Sequence, residues 1–403
     1  MKYVVFLADG MADWKVKELG DRTPLDVAKH PNMDKMASNG LFGRTCNVPE
    51  GMVPGSDTAN LAVFGYDPKV YYTGRSPLEA ASMGIHLKPE DVTYRCNFVT
   101  LSNPEDPDNA VMVDYSAGEI TSEESKQLVN LINARFQSDT VCLYPGIWYR
   151  QCLVLKNAGD GAELFPPHDF SGKPTKGKFP KGTNAELLNE MIRYACKVFP
   201  DHPVNKKRVA EGKNPANALW FWGEGRKPAL KNFQELYGLR GAVISAVDLI
   251  QGIGCCTGMD VLKVPGTTGN YHTDFAAKGR TCIEAFQNGY DYVYIHVEAP
   301  DECGHHRQVQ EKVYSIEQID EKIIGPVLAY LENCGDDFCC LTLPDHPTPL
   351  DLQTHSGDPV PFSIYRKGDC LNRNIRYTEE EAGKTGVWIP QGHTLLKEMQ
   401  KKI

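Results

Sequence analysis

This sequence has no C-x-x-C pair, no apolar run long enough to cross a bilayer, no internal repeat, no low-complexity tail and no excess of basic residues. Acids and bases are mixed along its length and the net charge is -9, which disfavours the footprint of a nucleic-acid or anionic-membrane binder. Any phosphate it handles must therefore meet a local basic cluster. The 13 cysteines are odd in number, and the adjacent pairs Cys255-Cys256 and Cys339-Cys340 lie inside apolar runs, as reduced buried thiols do. The apolar run in "MKYVVFLADG" is too short for a signal-peptide core, so a cytoplasmic location is expected.

What is present is enough chain for roughly two to three domains. The segments "YVVFLADG" (3–10), "YDYVYIHVEAPDECGHH" (290–306) and "DDFCCLTLPDHPTP" (336–349) each hold a nearly continuous β-branched and aromatic run, the pattern of a strand buried on both faces. Each then reaches an acid. Ligand sites of open α/β sheets lie beyond the carboxyl ends of the strands, so Asp9, Asp301, Asp345 and His346 are expected to converge there. Helices are predicted in "DFAAKGRTCIEAFQNG" after Thr273 and in "SIEQIDEKIIGPVLAYLEN" (315–333), with a break or kink at Pro326. "GAVISAVDLIQGIG" (241–254) reads as strand then helix, and the alternation implies a mostly parallel sheet.

Residues 89–235 read differently. Strand-like "TYRCNFVTL" and "IWYRQCLVL" alternate with helices opened by two predicted capping boxes, Thr121-x-x-Glu124 and Thr183-x-x-Glu186. They are expected to form a smaller inserted α+β domain, leaving 1–88 and 236–403 as a discontinuous main domain. "PPHDFSGKPTKGKFPKG" and "NKKRVAEGKNPANA" are expected to be loops.

Three features carry chemistry. Asp301 and His305 stand four apart, sharing a face if helical; Asp345-His346 precedes two prolines, which also suits a turn; His355 is a lone histidine that also fits a satisfied loop residue. Together these carboxylates and imidazoles suit Zn²⁺ or Mn²⁺ rather than a thiolate site, and are enough for two ions. Two-metal sites catalyse in-line displacement at phosphorus, and a cation lowers the pKa of bound water from 15.7 to roughly 7. In "VPGSDTANLAVFGYDP" (53–68), Ser56 is thus either a helix cap or a nucleophile activated in the same sense.

"ADG" (8–10), "PGSDTANLAVFGYDP", "YTGRSPLEAASMGI", "AVDLIQGIG", "PDECGH", "PDHPTP" and "HSGDPVPF" occur in order, with "NPANALWFWGEGRKP" in the insert. The chain resembles the archaeal-type, cofactor-independent (2,3-bisphosphoglycerate-independent) phosphoglycerate mutases of the alkaline phosphatase superfamily. The resemblance implies an α/β, three-layer alkaline-phosphatase-like domain with a mostly parallel sheet, interrupted by the smaller domain. It implies Asp301, His305 and His355 as ligands of one ion, and Asp9, Asp345 and His346, completed by Ser56, as ligands of another. The ions are Mn²⁺ or Zn²⁺, with Mg²⁺ as an alternative, and no 2,3-bisphosphoglycerate is required. Ser56 is implied to pass a phosphoryl group between the hydroxyls of glycerate through a phosphoserine, with Lys278 at the transferring group. Asn60, Arg75, Arg95, Arg150, His168, Asp169, Lys181 and Arg226 resemble positions that contact the small phosphorylated acid, and His168 and Asp169 are candidates to protonate the departing glycerate. "DYSAGE" (114–119) lacks the arginines many archaeal relatives carry there, and Cys303 replaces a small apolar residue.

Two other activities compete. A homoserine-kinase-like phosphotransferase needs a nucleotide site, but "GKPTKGKF" (172–179) places Phe179 where a P-loop has Ser or Thr, and "GIGCCTG" has the wrong glycine spacing for a dinucleotide fingerprint. A metal-dependent phosphatase would use the same groups with water as acceptor; an insert that excludes water argues against it. A metal-binding scaffold would need the ligands without the serine. Neither a nucleic acid nor a membrane is expected as a partner, and the sequence leaves oligomeric state open.

Overall fold

Strands flanked by apolar neighbours on both sides lose least when both faces are covered, and the three continuous apolar runs become adjacent strands of one sheet. In the computed structural model, which describes residues 1–401, the chain divides into two units: Met1–Tyr72 with the chain from Leu230 onward, and Thr73–Ala229. The sheet of the first unit runs Asp260–Val261, Gly241–Ile244, Tyr292–Val297, Lys2–Ala8, Phe338–Leu343, Val360–Arg366, Leu41–Thr45, Trp388–Ile389. Val360–Arg366 is antiparallel to both its neighbours and every other pairing is parallel, so the fold class is α/β with a mostly parallel sheet. Tyr292–Val297 and Phe338–Leu343 are buried throughout, and their side chains join Phe6, Phe42, Ile316 and Leu328 in the core of this unit.

The helices confirm the pattern with local differences. Phe275–Gln287 is capped by the Asp274 carboxylate, which accepts from Ala277 N, while Thr273 Oγ1 is taken by Thr268 N one turn back. The irregularity expected at Pro326 comes earlier: Val309–Gln318 continues into a π-helical stretch Ile319–Ile324, and Pro326 sits harmlessly in the first turn of Gly325–Asn333. Asp320 on that stretch accepts from Asn32 N and Met33 N, which ties it to the start of Pro31–Asn39.

The second unit is built on the buried strand Val92–Leu101, antiparallel to Arg150–Leu155 on one side and Ala218–Arg226 on the other. Ser122–Phe136 opens with both arms of the Thr121/Glu124 capping box. The second predicted box does not form: Asn184, in the left-handed region, caps Ala185–Val198 without a side-chain bond, its amide being spent on Tyr94 Oη and Gly159 O. The first six residues of "NKKRVAEGKNPANA", expected as loop, lie in the helix Pro203–Ala210, anchored by buried Arg208 on Glu124 Oε2 at 2.9 Å and on Ala117 O.

The boundaries also move. Residues 73–88 belong to the second unit, because Ser76 Oγ bonds Thr93, and Ala80, on the helix Ser76–Ser82, together with Leu87 beyond it, packs with Cys152 and Val154. Residues 230–235 belong to the first, where Lys231 O accepts from Tyr66 Oη and Phe233 packs on Tyr292. Among the described residues no helix is long and apolar enough to cross a membrane.

Candidate active site

Ser56 is not a cap. Gly55, with extended φ of -179°, occupies the cap position of Ser56–Val63, and no side-chain bond closes that end. Ser56 Oγ is half-buried and lies 3.3 Å from His346 Nε2. Its neighbour Asp57 turns away, accepting from Tyr72 Oη at 2.5 Å and from Thr58 N.

The strand ends bring the remaining groups together. Asp9 follows Lys2–Ala8 directly, Asp345 and His346 follow Phe338–Leu343, and Asp301 lies on the short helix Ala299–His305 after Tyr292–Val297. Asp9, Asp345 and His346 each offer a donor atom within 4.8 Å of the others, and so do Asp301, His346 and His355. His346 Nε2 is 3.3 Å from Asp345 Oδ2 and 3.7 Å from Asp9 Oδ1. His305 Nε2 lies 3.2 Å from Asp301 Oδ2 and 3.0 Å from His355 Nε2, so it too points into the second group.

The electrostatics favour a cation here. Asp9 is pushed well above the usual carboxylate range, first by burial and then by Asp345 and Asp301. Its Oδ1 is buried without a hydrogen-bond partner. An ionised Asp9 therefore needs positive charge that its protein neighbours do not supply. Two imidazole nitrogens facing each other at 3.0 Å also require a shared proton or cation between their lone pairs. Burial opposes both ionisations, yet hydrogen bonds from His305 and His355 hold Asp301 well below its normal pKa, and Asp301 raises His305 to about 9. The donor set is oxygen and nitrogen with no sulfur, which fits Mn²⁺, Zn²⁺ or Mg²⁺ better than a soft ion.

His296 belongs to this cluster without being among the residues expected from the sequence. Its Nε2 is 2.9 Å from Asp9 Oδ2, and Nδ1 is 3.1 Å from Ser245 Oγ. Burial drops its pKa to about 3, so the ring is neutral. An ionised Asp9 can only accept, so the neutral ring donates Nε2–H to it, and Nδ1 accepts from Ser245 Oγ, which itself accepts from Val247 N. The available signal was an imidazole inside an otherwise apolar, fully buried strand.

Other expected contacts sit differently. Asn60 is fully buried, with Nδ2 donating to Asp345 Oδ2 at 2.7 Å and to Ser56 O, and Oδ1 accepting from Tyr294 Oη; it holds a carboxylate rather than facing solvent. Lys278, on Phe275–Gln287, is also buried and donates to His296 O at 2.8 Å. Burial lowers its pKa to about 8, against the pull of Glu298. Cys303 packs in the core with Sγ 3.9 Å from Ser315 Oγ.

Within the second unit, Glu79 joins two of the expected arginines, with Arg75 Nε and Arg95 Nε each 2.9 Å from its carboxylate. The Arg95 guanidinium stacks 3.9 Å from the Trp222 ring, whose other neighbour is His168 at 4.9 Å. Arg150 lies over the rings of Trp148 and Tyr149. His168 Nε2 is 3.4 Å from Asp169, and burial lowers the His168 pKa. Arg226 is not part of this group. Its guanidinium is spent on Glu90 O, Ala158 O and Asp160, whereas Lys181 pairs with Glu163 across a two-stranded ladder.

Residues 37–205 match the sequence profile of the family described as 2,3-bisphosphoglycerate-independent phosphoglycerate mutase. A protein of that name from Methanothrix thermoacetophila is 47% identical, over 98% of this chain and 99% of its own length. A solved protein from Pyrococcus horikoshii superimposes with a TM-score of 0.81 at 32% identity, covering 100% of this chain and 98% of the other. The cofactor-independent phosphoglycerate mutase from Thermoplasma acidophilum superimposes with a TM-score of 0.67 at 26% identity, covering 99% of each. With near-complete coverage at this identity, the chain belongs to the family of 2,3-bisphosphoglycerate-independent phosphoglycerate mutases.

Proposed function

We propose that this protein interconverts 3-phosphoglycerate and 2-phosphoglycerate through a phosphoserine at Ser56, without 2,3-bisphosphoglycerate and with two divalent cations, Mn²⁺ or Zn²⁺ with Mg²⁺ as an alternative. The observation that carries this reading is the Ser56 hydroxyl, free of any capping bond and set 3.3 Å from His346 Nε2 among three buried carboxylates. Asp9, Asp345, His346 and Ser56 would hold one cation, and Asp301, His305 and His355 the other. Bound there, the cations supply charge to the phosphoryl oxygens and acidify the serine hydroxyl.

Ser56 Oγ attacks phosphorus as the bond to the glycerate oxygen breaks, and the departing oxygen takes a proton, for which His168 and Asp169 are the candidates. Glycerate then presents its other hydroxyl, which returns its proton to the group that protonated the first oxygen and attacks the phosphoserine as the Ser56 Oγ–phosphorus bond breaks. The start of Ser56–Val63 favours negative charge on Oγ during both steps. Arg75, Arg95 and Arg150 suit the carboxylate and phosphate of the substrate. Lys278 supports the site through the His296 carbonyl and by its charge.

The test is ³¹P NMR of purified protein with Mn²⁺ and 3-phosphoglycerate alone. Both isomers should be present at equilibrium, and Ser56→Ala should bind Mn²⁺ yet form no 2-phosphoglycerate. Release of inorganic phosphate as the only product, or reaction only with ATP and homoserine, would refute the assignment.

A further inference from the structure

Thr348 stands between the prolines of "PDHPTP" and makes two side-chain bonds, one into each donor group. Its hydroxyl donates to Asp301 Oδ1 and lies 3.3 Å from His346 Nδ1. A hydroxyl has one proton to give, and the Asp301 carboxylate takes it. Thr348 Oγ1 therefore accepts from His346, so Nδ1 carries the ring proton and the Nε2 lone pair is left facing Asp9, Asp345 and Ser56.

We propose that Thr348 is a positioning residue that locks His346 in its Nδ1–H tautomer and Asp301 in its rotamer, so that one hydroxyl orients ligands of both cations. The inference rests on the metal-dependent reading above, and nothing in the chemistry of the reaction assigns a role to this side chain.

The surroundings leave Thr348 one arrangement. Its methyl and carbonyl press on Gly304, where a Cβ would come within 2.8 Å of Cγ2 and 2.5 Å of the carbonyl oxygen. Gly10, at φ +62°, closes the other side, since a Cβ there would lie 2.5 Å from Thr348 Oγ1 and 2.7 Å from Asp301 Oδ1. From behind, fully buried Lys312 donates to Thr348 O at 2.8 Å while paired with Asp13 Oδ2 at 2.6 Å. Asp13 in turn accepts from Leu350 N, so the segment carrying the hydroxyl is held from both sides. The backbone that carries the hydroxyl is thereby held between Gly10, Gly304 and the Lys312–Asp13 pair.

The experiment titrates Mn²⁺, followed by electron paramagnetic resonance, into metal-stripped wild-type protein, Thr348→Val and Thr348→Ser. Valine keeps the shape and removes the oxygen. The expected result is a Kd for Mn²⁺ raised roughly tenfold or more in Thr348→Val, and within about threefold of wild type in Thr348→Ser. Equal affinity in wild type and Thr348→Val would overturn the inference, as would a Thr348→Ser protein as weak as the valine variant. Independently of any variant, ¹⁵N NMR of Zn²⁺-loaded wild type should report His346 protonated at Nδ1, and protonation at Nε2 would overturn it. Wild type that binds Mn²⁺ but does not interconvert phosphoglycerates would sink the functional reading alone, because the affinity comparison still decides this one.

Discussion

Replacing Asn60 by leucine separates a substrate contact from a support for a ligand. The amide donates to Asp345 Oδ2 at 2.7 Å and accepts from Tyr294 Oη at 2.7 Å, and all three residues are buried. Leucine is close in size but polar nowhere. It removes a hydrogen bond to a charged group, about 1.5–3 kcal/mol, and strands the buried Tyr294 hydroxyl, about 1–3 kcal/mol. Because these share one cluster they do not simply add, and a net loss of about 4 kcal/mol is expected, or roughly 10 °C in the melting of the metal-free protein. Released from Asn60, Asp345 becomes a poorer ligand, so Mn²⁺ affinity should fall roughly tenfold or more. At saturating Mn²⁺, KM for phosphoglycerate should hardly change while kcat drops. Tyr294→Phe supplies a cycle: combined with Asn60→Leu it should cost less than the two singles together by about 1 kcal/mol, since no hydroxyl is then stranded. A raised KM with unchanged Mn²⁺ affinity would show that Asn60 meets substrate, and strict additivity in the cycle would show that Asn60 and the Tyr294 hydroxyl are not coupled; either result refutes the reasoning.

Stripping divalent metal should abolish turnover and lower the melting temperature, and Mn²⁺ at a hundredfold excess over its Kd should restore about 2.7 kcal/mol of stability; a melting curve indifferent to chelator would contradict the site. Burial lowers Lys278 from 10.5 to about 8, so between those values the unfolded chain binds a proton that the folded chain does not, and stability gains with rising pH. Lys278→Met should lose that part of the pH dependence, and equal pH slopes in melts of the two proteins would refute it. Glu79→Gln leaves Arg95 buried without its counter-charge and should destabilise the second unit by about 3 kcal/mol near neutrality. Arg95, acting against burial, holds the Glu79 pKa low, so the wild-type advantage should fade as pH falls into the acid range, as read by parallel melts.

The strands carrying the site were legible because their signal is local. Lys2–Ala8, Tyr292–Val297 and Phe338–Leu343 are runs whose burial on two faces forbids polar interruption, and the acids appear where each run stops. Capping chemistry was legible only where no competing partner intervened: Thr121 closes its box, while at the second helix Asn184 takes the cap position and spends its amide on Tyr94 and Gly159. The unit boundaries shifted because helix Ser76–Ser82 finds its apolar partners, Cys152 and Val154, some seventy residues along the chain.

Whereas His305 and His355 entered as ligands only through the family resemblance, periodicity and residue type pointed to Asp9, Asp301, Asp345 and His346 at the rim of a mostly parallel sheet, since burial dictates which positions in a strand stay apolar. They said nothing of which polar atom answers which. His296 meets Asp9 across 287 positions and Asn60 meets Asp345 across 285, while Arg226, a plausible anion ligand by type, is consumed by two carbonyls and Asp160. Side-chain type sets what a group can bond, but only the folded chain decides which long-range partner reaches it first, because a buried donor takes whatever acceptor packing leaves within about 3 Å.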